Sequence, residues 1–115
     1  MPNILPLNPG FSTADAEYPE LHAVAGVLQL TFRNWREELI HVHFKDVCAF
    51  RWQEAGSLLP NEPDDGVCEL VESEWLERHI NQQTISKESK HRHLRFNFNS
   101  CGQLEVLCTS FSIEP

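Results

Sequence analysis

Two stretches decide the fold: DGVCELVESEWLERHINQQ (65–83) and HLRFNFNSCGQLEVLCTSFSI (93–113). In the first, Val67–Glu72 suits a short strand, and Ser73–Gln83 then takes on helical spacing. Ser73 fits an N-cap, whose hydroxyl accepts an orphan backbone N–H, and Glu74 follows in the first turn, where the helix dipole favours a carboxylate. Trp75, Leu76, His79 and Ile80 share one face of that helix, which should pack on a sheet. In the second stretch Leu94, Phe96 and Phe98 alternate with His93, Arg95 and Asn97, the period of a strand with one apolar face. Asn99-Ser100-Cys101-Gly102 is the hairpin turn, and Leu104–Ile113 is the return strand. Both faces of that return strand are partly apolar, which places it centrally in a sheet.

Working upstream, strand patterns cover about Val24–Arg33, Leu39–Phe44 and Val47–Trp52. Their closeness favours an antiparallel meander. Pro2, Pro6, Pro9 and Pro19 make residues 1–20 an irregular arm, laid over the core through Ile4, Leu5, Leu7 and Phe11. Ala55–Gly66 is the main loop and Thr84–Arg92 a polar connection. The expected fold is α+β: a mainly antiparallel β-sheet of about six strands with one helix packed on it. It forms a single domain over residues 1–115. The expected core is Leu28, Leu30, Phe32, Ile40, Val42, Phe44, Phe50, Trp52, Leu94, Phe96, Phe98 and Val106.

The hydrophobic fraction is 41% and the charged fraction 23%, which is globular rather than disordered composition. The formal charge of −8 excludes general nucleic-acid binding, because phosphate backbones repel such a surface. No apolar run approaches transmembrane length, which argues against a membrane-spanning role. The N-terminus lacks a basic region and is broken by proline, so no secretory signal is read and a cytoplasmic location is expected. Cys48, Cys68, Cys101 and Cys108 form no C-x-x-C pair and are expected as reduced thiols, with Cys101 exposed in the hairpin turn.

The charge is unevenly spread. Glu62, Asp64, Asp65, Glu69, Glu72, Glu74 and Glu77 stand against Arg78 alone, whereas Lys87, Lys90, Arg92 and Arg95 follow against Glu88. The acidic run is either a solvated face or a patch that docks a basic protein partner. Trp35, among charges in a turn, is a binding candidate, with packing at a strand end as its alternative.

His41-x-His43 and His91-x-His93 each put two imidazoles on one side of an extended segment, which makes the four histidines candidate metal ligands. Solvent-facing strand histidines are the plainer reading. The same dipeptide spacing occurs in cupins, but the glutamate and glycine that follow it there have no counterpart: Asp46, Glu54 and Gly56 are out of place. The chain has no nucleophile elbow, no cysteine–histidine signature and no Gly-rich phosphate loop. No catalytic residue and no cofactor is therefore assigned.

The segment Glu69-Leu70-Val71-Glu72-Ser73-Glu74-Trp75-Leu76, with His93-Leu94-Arg95-Phe96 and Leu104-Glu105-Val106-Leu107, resembles a recurrent arrangement in small bacterial proteins. Some of those resemble immunity proteins of polymorphic toxin systems. The pattern departs here at Val71-Glu72-Ser73, where Glu-Asn-Ser is usual. The resemblance implies an antiparallel α+β fold and carries over no catalytic residue. Three functions stay open: a non-catalytic protein-binding module of the toxin-neutralising kind, a metal-binding protein or metal-dependent enzyme built on the paired histidines, and a homodimeric structural subunit. The chain would be a monomer or a homodimer.

Overall fold

The computed structural model describes residues 3–24, 27–54, 58–59, 62–99 and 101–113. Its strands are β1 (Asn3–Leu7), β2 (Glu17–Val24), β3 (Val27–Arg33), β4 (Leu39–Lys45), β5 (Ala49–Gln53), β6 (Gly66–Val71), β7 (Arg92–Phe98), β8 (Gly102–Cys108) and β9 (Ser110–Ile113). One helix, α1 (Glu74–Asn81), follows β6. The strands form two antiparallel sheets rather than one, a five-stranded sheet in the order β1-β6-β7-β8-β5 and a four-stranded sheet in the order β2-β3-β4-β9. The α+β class and the antiparallel pairing hold; the count of about six strands does not. No helix among the described residues is long and apolar enough to cross a membrane.

The two sheets pack face to face. Alternation along β3 and β4 buries Leu28, Leu30, Phe32, Val42 and Phe44; alternation along β7 and β8 buries Leu94, Phe96, Phe98, Leu104, Val106 and Cys108. Rings interlock across the gap: Phe44 meets Phe96 edge-on at 5.4 Å, and Phe32 meets Phe98 at 5.2 Å. Ile40 and Trp52 pack against this core only in part. Phe50 lies outside it, because β5 is an edge strand and leaves that ring 39% exposed.

Among the described residues of 1–20, the expected irregular arm is replaced in part by two strands; Pro2 lies outside the described residues. β1 pairs with β6 and β2 with β3, and both are edge strands. Proline lacks only the backbone donor, and an edge strand tolerates that loss. Pro6 therefore sits opposite Cys68, and Pro19 lies in a register shift between Glu17 and Glu20. Between the two strands Phe11 stacks on Phe96, and buried Thr13 accepts a hydrogen bond from Gly66 N at 2.6 Å.

The expected meander also fails after β4. Residues 42–45 pair with 110–113 as β4 with β9, and residues 49–53 with 103–107 as β5 with β8. Between the pairs Lys45↔Ser110 and Ala49↔Leu107, one chain advances four residues and the other three. The extra residue is a bulge, and at it both strands bend out of one sheet into the other. Asp46 takes φ 54° there, Cys48 N donates to Leu107 O at 2.8 Å, and Thr109 Oγ1 donates to Asp46 Oδ2 at 2.9 Å. The single strand expected over Leu104–Ile113 is thus two strands around one corner.

Phe96 touches rings from three other segments: Phe11, Phe44 on β4 and Phe111 on β9. Replacing it with alanine is expected to cost ~3–5 kcal/mol in urea unfolding, from lost transfer free energy plus the cavity. A cost under ~1 kcal/mol would show that the sheets do not meet at this ring.

Candidate functional site

The inner face of β7 and β8 is apolar, and their outer face is polar but equally buried. His93, Arg95 and Asn97 on β7, and Gln103 and Glu105 on β8, are each under 10% exposed. The hairpin register sets Arg95 opposite Glu105 and Asn97 opposite Gln103. Lone buried polar groups are costly, so such a face survives only if its members satisfy one another. They do: among the described residues no buried side-chain nitrogen or oxygen lacks a partner.

Glu105 is the hub. Its Oε1 accepts from His93 Nε2 at 2.8 Å, and its Oε2 from Arg51 Nε on the neighbouring strand at 2.8 Å. Arg95 Nε lies 3.8 Å from Oε1. Burial alone pushes this carboxyl up, but the hydrogen bonds from His93 and Arg51 and their charges outweigh it and hold the group down at about 2. Arg95 leads on to Glu62, 3.3 Å away, whose Oε2 also accepts from Asn97 Nδ2 at 2.6 Å. The Gln103 amide donates from Nε2 to Asn97 Oδ1 at 2.9 Å. Beside them the Cys68 thiol is pushed up to about 12, by burial first and then by the charge of Glu62.

His93 extends the chain of bonds to the helix. Its Nδ1 lies 2.6 Å from Ser73 Oγ. In the neutral imidazole with its proton on Nε2 toward Glu105, Nδ1 is the acceptor and the serine hydroxyl the donor. Ser73 is the N-cap expected from sequence, and its Oγ accepts from Leu76 N at 3.1 Å. The turn into it is sharp: Glu72, between β6 and Ser73, holds φ 60°, an unusual conformation for a residue with a Cβ. Trp75 roofs the group, with its ring edge-on to His93 at 5.2 Å and the Arg51 guanidinium 4.3 Å from its centre. Under that roof a pocket of about 290 Å³ is lined by Arg51, Ser73, Trp75, Arg78, His93 and Glu105, among others.

A second concavity, of about 640 Å³, runs along the solvent side of α1 between Glu72, Glu74, Glu77, Arg78, Asn81 and Gln82. Here the acidic run splits. Glu62 is drawn into the buried network and leaves the surface, and Glu69 pairs with Arg92 at 2.9 Å. Asp64, Glu72, Glu74 and Glu77 are exposed and Asp65 half-exposed. Trp35 stands 55% exposed at the tip of the β3–β4 hairpin with Arg36 over its ring at 4.7 Å. That hairpin belongs to the four-stranded sheet, whereas the acids flank the five-stranded one.

The two histidine pairs are separated. His41 and His43 lie on β4, where they contact Thr31 and Gln29 across the sheet. His91 precedes β7 and bonds Asp46 O at 2.7 Å. His93 does not face solvent as its alternation suggested, because α1 covers that face. Among the described residues no group of three or more His, Cys, Asp or Glu side chains could hold a metal ion. Cys101 is half-buried rather than exposed, and its thiol donates to Ala16 O at 2.9 Å.

The fall in the Glu105 pKa stabilises the folded state above the ordinary carboxyl value of 4.5, and this is lost as pH falls through about 2. Its size is roughly 2 kcal/mol once screening is allowed for. Glu105→Gln is therefore expected to be less stable than the parent at pH 7, with the gap closing between pH 4.5 and 2 in urea unfolding. A gap independent of pH would show that the carboxylate is not the charged hub.

Comparison with known proteins finds no matching family model, curated protein or solved structure, so the reading of this site rests on its own chemistry.

Proposed function

We propose that the chain is a protein-binding module that docks a basic partner at the start of α1, and that its role is of the toxin-neutralising kind. The observation that supports this is the groove along the helix, concave and lined by Glu72, Glu74 and Glu77 with Arg78 as its one cation. None of these three glutamates makes a salt bridge among the described residues, whereas Glu62, Glu69 and Glu105 on the adjoining sheet and loop do. The unpaired carboxylates keep their field for a partner. A patch of one sign speeds encounter with a surface of the other sign. A nuclease has such a surface, because its natural ligand is a polyanion. The helix is held rigidly at its first turn by Ser73 and Trp75, so the groove is preformed.

The test uses the product of the gene next to its own as the candidate partner, with association followed by surface plasmon resonance over a salt series. Glu72→Lys combined with Glu77→Lys should slow association about tenfold at low salt and flatten its salt dependence, with circular dichroism unchanged. Association at the parent rate, or no binding by the neighbouring product, would sink the reading.

A further inference from the structure

Ser73, His93 and Glu105 form a connected donor–acceptor series: hydroxyl to imidazole at 2.6 Å, imidazole to carboxylate at 2.8 Å. A merely structural cap needs only the bond from Leu76 N to the serine oxygen. Here the same oxygen also faces a base, and the base is oriented by a buried acid. That is the arrangement by which a weak hydroxyl nucleophile is activated. Three further features favour attack from Ser73 Oγ. It sits at a strand-to-helix elbow behind the left-handed Glu72, so the helix N-terminus lies at its back. Glu74 and Trp75, the first two helical residues, have backbone N–H groups without acceptors inside the helix, and both residues line the pocket. The pocket of about 290 Å³ opens onto Ser73 and carries Arg51 and Arg78, cations suited to a negatively charged group on a small substrate.

We propose that Ser73 is an acylatable nucleophile with His93 as its general base, and that the pocket hydrolyses small acyl esters bearing an anionic group. Ser73 Oγ adds to the ester carbonyl carbon while its proton passes to His93 Nδ1. The carbon–oxygen bond to the leaving alcohol then breaks, and His93 returns the proton to that oxygen. Water attacks the acyl-serine through the same base, Ser73 regains its proton, and the carboxylic acid departs. The N–H groups of Glu74 and Trp75 are the donors for the oxyanion. Glu105 touches no reacting atom; it is a positioning residue that fixes the imidazole with its free nitrogen toward Ser73. This site goes beyond the binding reading and stands without it, since the chemistry needs no protein partner.

The test is treatment of the folded full-length chain with a fluorophosphonate, which phosphonylates activated serines with loss of fluoride, followed by intact-mass and peptide mapping. One adduct on Ser73 is expected, together with slow hydrolysis of a small anionic aryl ester. Ser73→Ala should abolish both, and His93→Gln should slow labelling by at least about 100-fold. Glu105→Gln should lower the maximal labelling rate without changing the fluorophosphonate concentration at half-maximal rate, a split that a general loosening of the fold would not produce. No adduct on the folded parent chain, or an adduct at another residue, would overturn the proposal whatever the variants do.

Discussion

A carboxylate buried at the centre of a sheet must be surrounded by donors, and the architecture outside the core follows from meeting that demand at Glu105. Each donor recruits a different element. Arg51 brings the edge strand β5, and its guanidinium then supports the Trp75 ring. His93 brings Ser73, and through it the first turn of α1. Arg95 brings Glu62, which fixes the loop before β6 and satisfies Asn97. Removing one partner of a buried pair leaves an uncompensated charge and typically costs about 3–5 kcal/mol. The helix has no fully buried residue of its own. Its seat on the sheet therefore depends more on this polar chain than on apolar burial, in contrast with the interior between the sheets.

That hub can exist because the fold makes β7 and β8 central. The bent ladder of β4–β5 against β8–β9 supplies the condition. By carrying β5 around the corner, it puts Arg51 beside Glu105 in the register Arg51↔Glu105. Without the bulge near Asp46, residues 49–53 would continue along β4 in the other sheet, and Glu105 would lose the cation that closes its second oxygen. A one-residue irregularity at a sheet corner thus decides an electrostatic contact at the middle of a sheet.

The strands β3 to β7, the helix start and most of the core were legible because each follows from a local period. Leu28, Leu30 and Phe32, or Leu94, Phe96 and Phe98, report their burial by alternation alone. The partition into two sheets was not legible, since local period says nothing about which strand is the partner. The prolines misled for a related reason: Pro6 and Pro19 argue against a central strand, not against an edge strand. The polar site was hidden by the rule that a polar strand face is a wet one, which read His93, Arg95 and Asn97 outward. A signal was nevertheless present. With Phe98 opposite Gly102, which keeps the apolar faces of both strands together, the hairpin sets Arg95 against Glu105 and Asn97 against Gln103. These are matched polar partners across the hairpin, and α1 covers their face through Trp75 on His93.

Ser73 is where the two proposed surfaces meet. Behind it lies the pocket over His93, and in front lies the acidic groove. Glu74 and Arg78 line both concavities. The first turn of α1 is therefore a thin partition, held on one side by the Ser73–His93 bond and open on the other to a partner. A basic side chain seated between Glu74 and Glu77 would draw on the same carboxylate that borders the pocket, and Arg78 would have to choose between facing an anion in the pocket and sharing Glu74 with that partner. Occupancy of one proposed surface would alter the electrostatics of the other through Glu74 and Arg78, which line both. The short span from Glu72 to Arg78 thus carries residues of both proposed surfaces, and the nine strands among the described residues position it.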